Sequence, residues 1–466
     1  MNRLGYRMLA GLLGAAVALT LASPIPASAA PTELTMSANA AFAGQSTTLQ
    51  ILLTDNGDPV GNGAVAVERR VGGVWEEVVP VEPTDGAGRT SVPVELSKKT
   101  SDNVFRASYA VGTPDEAQSG AFQVDLKPRK SKVTVSGPDS VKDEKSVEVR
   151  VRWVTGNGQP VTGRVQLFRR NAKKGPWKLV RRLTTDLQGR ASVTVTPRED
   201  TWWRAKAKPQ AWVKGDRSKV HAVDNIPPGD PVKLPRRAPN PRVKLPTQPD
   251  AVGNGANPVI TGIPRRVWRE MTGRTWHRGC PVGRSGLRYL KINYWDYAGY
   301  RRRGELVANA DAIHQMAAAL EEMYQKKLPI RAMYREDRFG WSHKLGGAND
   351  YRSMAAGNTS AFNCRGVVGN PSTRSPHSYG RSLDLNTWEN PYRSAQGTVP
   401  NSWWMGHSHP RVAWRSRSHP VVRLMAAHGL RWTYGNGDTQ HFDASGSGRT
   451  GARLNAEFLE CAGVCD

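Results

Sequence analysis

The feature that most restricts the fold is an internal duplication. Residues 31–125 and 130–224 align with an offset that stays between 98 and 102. Gly57-Asp58-Pro59-Val60 returns as Gly158-Gln159-Pro160-Val161, and Trp75 as Trp177. The turn sequence from Asp85 to Arg89 returns from Asp186 to Arg190, and Phe105 returns as Trp203. A period near 100 residues is domain-sized, so it marks duplicated domains rather than the short units of a solenoid. Inside each copy, residues 47–53, 146–153 and 191–196 alternate apolar and polar with period two, and Gly, Asp, Asn and Pro cluster between such runs. Many short strands with regular turn signals predict one immunoglobulin-like β-sandwich per copy, over 30–125 and 126–224. Neither copy holds a cluster of His, Asp and Glu that suggests chemistry, so a spacer or binding role is expected of both.

Two sandwiches leave half of a 466-residue chain unexplained. At about 150 residues per domain, a chain this long divides into roughly three. Its 38% hydrophobic content is enough for packed cores. Lys and Arg number 66 against 40 Asp and Glu, a formal charge of +26, so anionic partners are favoured: nucleic acid, acidic membrane or acidic wall polymer. The N-terminus narrows the choice. Arg3 and Arg7 precede an apolar run over 8–22, then Pro24, Pro26 and the small residues Ala27, Ser28, Ala29 and Ala30. That is the layout of a secretory signal peptide over 1–29, with export of a chain that keeps no later membrane span. Basic residues are spread over all domains with no recognition motif, which argues against specific nucleic-acid binding. Cys280, Cys364, Cys461 and Cys465 fit an oxidising compartment and allow three disulfide pairings.

Residues 225–258 read as a Pro-rich, basic linker, with eight prolines from Pro227 to Pro249. At about 3.1 Å per residue the 23 residues from Pro227 to Pro249 predict a semi-rigid spacer of roughly 70 Å, holding the last domain away from the sandwiches. Residues 259–466 change character. Helical spacing of apolar residues predicts a helix over 305–326 and a second over 421–428 stopped by Gly429, with short strand-like pieces at 328–334 and 382–385. The expectation is a small α+β domain.

Nine of the ten histidines lie in the last 190 residues, and two segments set imidazoles near carboxylates. The first is Ser375-Pro-His377-Ser-Tyr-Gly380-Arg-Ser-Leu-Asp384-Leu-Asn386; Gly380 permits a turn that swings His377 back towards Asp384. The second places Asp438 and His441 three apart after a Gly-rich turn. Two His and one carboxylate suit a catalytic zinc site with an open fourth position, and a further carboxylate can take a proton from water. Spacing alone leaves structural His–Asp hydrogen bonds equally open.

Ser-x-His-x-x-Gly-x-x-x-Asp followed by Asp-x-x-His-Phe resembles the zinc D-alanyl-D-alanine carboxypeptidase family, which includes vancomycin-resistance-type D,D-carboxypeptidases and L-alanyl-D-glutamate endopeptidases. Gly304-Glu-Leu-Val307, Leu328-Pro-Ile330, Asn358-Thr-Ser-Ala-Phe-Asn-Cys-Arg365 and Glu389-Asn-Pro-Tyr392 resemble its actinobacterial branch, so the likeness spans about 270–445. The resemblance implies one Zn2+ per chain on His377, Asp384 and His441, with Asp438 as general base. It implies a substrate-carbonyl or oxyanion role for Arg335 and substrate-binding contacts for Tyr334 beside it and for Ser375. It pairs Cys280 with Cys364, leaving a separate Cys461–Cys465 pair. Asp443 stands where the family often has Glu, and Thr387 where it often has Pro. The implied protein is an exported, wall-associated metallopeptidase acting on peptidoglycan stem peptides and held on anionic wall polymers by its charge. The alternative is a non-catalytic wall-binding or adhesive protein working through its sandwiches.

Overall fold

The computed structural model describes residues 31–78 and 81–446. The signal-peptide expectation over 1–29 and the Cys461–Cys465 pairing lie outside the described residues. The chain is multidomain: two immunoglobulin-like sandwiches are followed by a small α+β domain.

In the first repeat, a sheet of Glu33–Ala38, Ser46–Asp55, Asp58–Pro59 and Arg89–Glu95 faces one built on Val65–Val71, Val74–Glu77 and Val104–Tyr109. Leu49, Ile51 and Leu53, two apart on one strand, meet Val67, Phe105 and Ala107 in its core. The second repeat repeats the plan with Val149, Val151 and Trp153 against Leu167, Trp203 and Ala205. The duplication extends to single turns. Asp85 Oδ1 accepts from the amides of Ala87 (2.8 Å) and Arg89 (2.9 Å), and Asp186 Oδ1 does the same for Gln188 (2.9 Å) and Arg190 (2.8 Å). Both turns close on a glycine with positive φ, Gly88 and Gly189, where a Cβ would strike the carbonyl of Leu53 or Trp153.

In the C-terminal domain, the long antiparallel pair Leu287–Trp295 and Arg301–Asn309 carries the helix Ile313–Gln325 on one face. Leu290, Ile292, Leu306, Ile313, Met316 and Leu320 form the core there, joined by Leu383, Met425 and Phe442 from the later elements. The helix expected over 305–326 is therefore a strand end followed by a helix. Glu305, Leu306 and Val307 pair with Lys291, Leu290 and Tyr289, and these cross-strand bonds override the local helical spacing. Residues 328–334 do not join a sheet; Ala332 makes a single bridge to Asn358. Pro420–Ala427 is helical and Gly429 follows it at φ +74°.

The spacer expectation for 225–258 is corrected. The segment is extended but lies along the C-terminal domain. Gln248 is buried, its Nε2 donating to Met333 O (2.6 Å) and its Oε1 accepting from Met333 N (2.8 Å). Trp388 Nε1 donates to Pro239 O (2.6 Å), and Val232 N to Tyr297 O (2.8 Å). The second sandwich also touches the domain directly, through Glu144–Arg301 (2.7 Å) and Tyr300 Oη donating to Asn225 O (2.6 Å). Prolines keep the segment extended, yet its free carbonyls and amides find partners on the domain instead of water. No described helix is long and apolar enough to cross a membrane.

Candidate metal centre and its surroundings

Ser375 opens a short 3-10 turn, Pro376–Tyr379; its Oγ accepts from His377 N at 3.4 Å, and Pro376 sets the first turn position. Gly380 ends it in the left-handed region at φ +68°, and a Cβ there would lie 2.8 Å from Asn309 N. The chain then enters Ser382–Asp384, which pairs antiparallel with His441–Ala444. Asp384 is opposite His441 in that register, while Leu383 and Phe442, one residue along, point into the core.

Three buried groups meet. His377 Nε2 is 3.1 Å from Asp384 Oδ2 and 3.2 Å from His441 Nδ1, and His441 Nδ1 is 3.2 Å from Asp384 Oδ1. The far nitrogen of each ring is already occupied: His377 Nδ1 lies 2.6 Å from Ala361 O, and His441 Nε2 lies 2.9 Å from Asp443 Oδ1. Both partners are acceptors, so those nitrogens carry the protons and the two inner nitrogens present lone pairs. Two imidazole lone pairs and a carboxylate facing one another repel unless a cation or proton sits among them. The arrangement fits a metal ion held by three protein ligands with room for another. Asp443 is further fixed by Ser382 Oγ and Thr433 Oγ1, both at 2.6 Å. Burial would raise its pKa, but His441 and these donors hold it below the usual carboxylate range. The Asp in place of the family's frequent Glu thus still reaches the imidazole.

Asp438 places Oδ2 4.0 Å from His441 Nδ1, while its Oδ1 is buried with no hydrogen-bond partner. Burial, with Asp384 nearby, pushes its pKa well up, against the pull of His441 and Arg365. A carboxylate in that state is an avid proton acceptor.

Arg335 and Tyr334 are not brought to this cluster. The Arg335 guanidinium is buried in a closed set of ion pairs, with Asp337 (2.9 Å), Glu305 (3.1 Å) and Glu270. The Tyr334 hydroxyl donates to Pro246 O in the wrapped segment. In this geometry four of the five Arg335 N–H donors serve three carboxylates. Arg365, not among the expected site residues, also stands here. Its Nη2 pairs with Asp350 Oδ2 at 2.7 Å, its backbone is tied to Ser375 and Ser378, and its buried Nε has no partner. It is near enough to lower the pKa of both Asp438 and Glu336. Glu336 is a second such residue: its Oε1 accepts from Ser353 and from Asn358 Nδ2 (3.3 Å), and its Oε2 is buried with no close hydrogen bond. Tyr434 stacks obliquely 5.1 Å from His441, its pKa raised by burial to about 12. Arg365 directly follows Cys364 in the quoted motif, the one available signal for it.

Cys280 and Cys364 form a disulfide that ties residues 84 apart, with Cα atoms 5.9 Å apart. The bond removes both thiols from the grouping they make with His277, whose Nε2 lies 3.1 Å from Cys364 O.

No curated protein matches the chain. Among solved structures, the D0-D1 domain of intimin is 15% identical and aligns over 41% of this chain and 97% of its own, with a TM-score of 0.16. A marsupial T cell receptor is 10% identical over 58% of this chain and 99% of its own, at 0.23. Trypsin-activated alpha-2-macroglobulin from Escherichia coli is 16% identical over 41% and 15%, at 0.17. Likenesses at such scores carry no argument. The sequence match is local: residues 369–444, which span His377, Asp384, Asp438 and His441, match the family described as D-alanyl-D-alanine carboxypeptidase, and at that coarse level the domain resembles a metallopeptidase.

Proposed function

We propose that the C-terminal domain is a zinc peptidase that cuts peptidoglycan stem peptides at a bond involving a D-amino acid, in an exported, wall-associated protein. The observation that carries this is the inward meeting of two tautomer-fixed imidazoles and a carboxylate beside a buried, unpartnered second carboxylate. His377, Asp384 and His441 would hold the ion. A bound zinc ion supplies Lewis acidity, polarising the scissile carbonyl and acidifying a water.

Asp438 takes the proton from the attacking water, its free Oδ1 giving that proton a place to go, and passes it to the departing amine. Ala361 O and Asp443 keep the imidazoles oriented and their outer nitrogens protonated throughout. Arg365 lowers the cost of negative charge at Asp438 and, through its unpaired Nε, offers a donor to an anionic or carbonyl oxygen. Ser375 sets the turn that presents His377. The Cys280–Cys364 disulfide favours an oxidising compartment over the cytosol.

The test is metal content and activity on purified peptidoglycan, comparing the protein with Asp438→Asn. One zinc per chain in both, with hydrolysis slowed about 10²–10⁴-fold by the substitution, is expected. The mass lost from the muropeptides names the bond. Equal inactivity in both with no bound zinc would sink the proposal and leave wall binding through the sandwiches as the function.

A further inference from the structure

We propose that the outer face of the larger sheet in the second sandwich binds a phosphate-bearing anionic polymer of the cell wall; the wall setting rests on the peptidase reading, the surface does not. On this face the strands Arg164–Arg170, Lys178–Thr184 and Thr201–Ala207 lie side by side. Arg170 and Arg204, from neighbouring strands, both lie over the Trp177 ring, their guanidinium carbons 4.7 and 4.4 Å from its centroid. Lys206 follows Arg204 on the same side of its strand and bridges to Arg217. Among the described residues, no ion pair engages any of these four cations. Arg170 Nε is buried with no hydrogen-bond partner. Burial, then the neighbouring Arg217 and Arg170, lowers the pKa of Arg204: like charges are crowded here without an acid.

The first sandwich supplies an internal control. It keeps the same platform, with Arg106 4.4 Å over Trp75, and neutralises it: Glu68 takes both Arg106 Nε (2.5 Å) and Nη2 (3.0 Å). In the second copy Phe168 replaces Glu68, Leu179 replaces Glu77, and Lys206 and Arg217 replace Ser108 and Gln118. The buried side of the same strands stays apolar, Val67 and Phe105 becoming Leu167 and Trp203. The scaffold is retained while the face loses its acids and gains cations, so folding does not require the change.

Guanidinium forks suit phosphate oxygens. Lys206 and Arg217 stand directly opposite on backbones about 4.8 Å apart, Arg204 lies two residues or about 6.8 Å along the strand from Lys206, and Arg170 stands on the diagonal from Arg204, which presents a row to a repeating anion. The disulfide of the C-terminal domain favours a compartment where polymeric phosphate is wall-borne rather than nucleic acid.

The test uses the full chain and three probes at about 150 mM salt: wall sacculi carrying a phosphodiester polymer, the same sacculi stripped with hydrofluoric acid, and single-stranded DNA. Arg170→Gln with Arg204→Gln should weaken binding to intact sacculi at least about tenfold, since two charge-assisted contacts are lost. Phe168→Glu, which restores the acid of the first repeat, should do likewise. Arg236→Gln with Arg237→Gln, two exposed positions in the wrapped segment, should change it less than about threefold. Stripping should lower wild-type binding to the level of the platform variants. Equal weakening by both arginine pairs, undiminished binding to stripped sacculi, or DNA bound as tightly as sacculi would each overturn the proposal. Hydrolysis of a short soluble peptide is read in parallel and should be unchanged by every variant. A wild type that binds in this pattern but hydrolyses nothing would defeat the peptidase reading and leave this surface standing.

Discussion

Two charge clusters stand in one domain and are built on opposite logic. Around Arg335, Glu270, Glu305 and Asp337 each receive a guanidinium N–H, and Glu305 is shared with Arg338 and the Tyr289 hydroxyl. Around His377, among the described residues, no Lys or Arg pairs with the inner nitrogens or Asp384, and Asp438 keeps an oxygen with no hydrogen-bond partner. Buried ions are tolerated when they are paired and hydrogen-bonded. The first cluster meets that condition from within the chain; the second meets it only with something added. Closure marks a structural cluster, and an unmet demand marks a site.

Breaking the open cluster should have the largest effect. His441→Ala removes one inner nitrogen and frees Asp384 and Asp443 of their shared partner. Zinc content should drop from one per chain to near none, with peptide hydrolysis at background, read by metal analysis and muropeptide mass spectrometry. A variant that keeps full zinc would show that these three groups are not the ligand set.

Breaking the closed cluster should act on stability instead. Arg335→Met leaves buried Asp337 without its guanidinium, while the partly exposed Glu270 and Glu305 keep Arg266 and Arg338, at a cost of about 3 kcal/mol. Urea unfolding measures that loss, while kcat per folded molecule stays within a few-fold of wild type. A large fall in kcat with unchanged stability would return Arg335 to the substrate-binding role that its position after Tyr334 suggested.

What could be read in the sequence divides along local and non-local lines. The sandwiches were legible because alternation and turn chemistry act over a few residues: Leu49, Ile51 and Leu53 face inward whatever lies across from them. The His377 turn was legible for the same reason, through Ser375, Pro376 and Gly380. The strand at 305–309 was not, because its hydrogen bonds come from Leu287–Trp295 and local spacing reads as helix. Nor was the docking of 225–258, since proline content fixes extension but not what the extended chain lies against. Arg335 and Arg365 each close a quoted sequence segment; only the tertiary neighbours separate them, three carboxylates for one and a single carboxylate with a free Nε for the other.

The smallest effect comes from Glu336, which lies between the two cases. One oxygen accepts from Ser353 and Asn358, the other is buried with no close hydrogen bond, and Ser360 and Arg365 lie near enough to favour the charged form. Burial, with Asp350 nearby, pushes its pKa up from 4.5 to about 8. Between those values the folded chain holds a proton that the unfolded chain gives up, so the native state binds more protons and stability falls as pH rises through that window. At pH 7 the penalty is on the order of 3 kcal/mol. Glu336→Gln keeps an acceptor for Ser353 and Asn358 and removes the titration. Wild type and variant should unfold at similar urea concentrations near pH 4.5, with the variant progressively more stable towards pH 8. Chelated protein is used for both, so that proton release on metal binding adds no slope. Parallel pH profiles would mean that Glu336 is already ionised in the folded state, and that Arg365 neutralises it as completely as Arg335 neutralises its own three carboxylates.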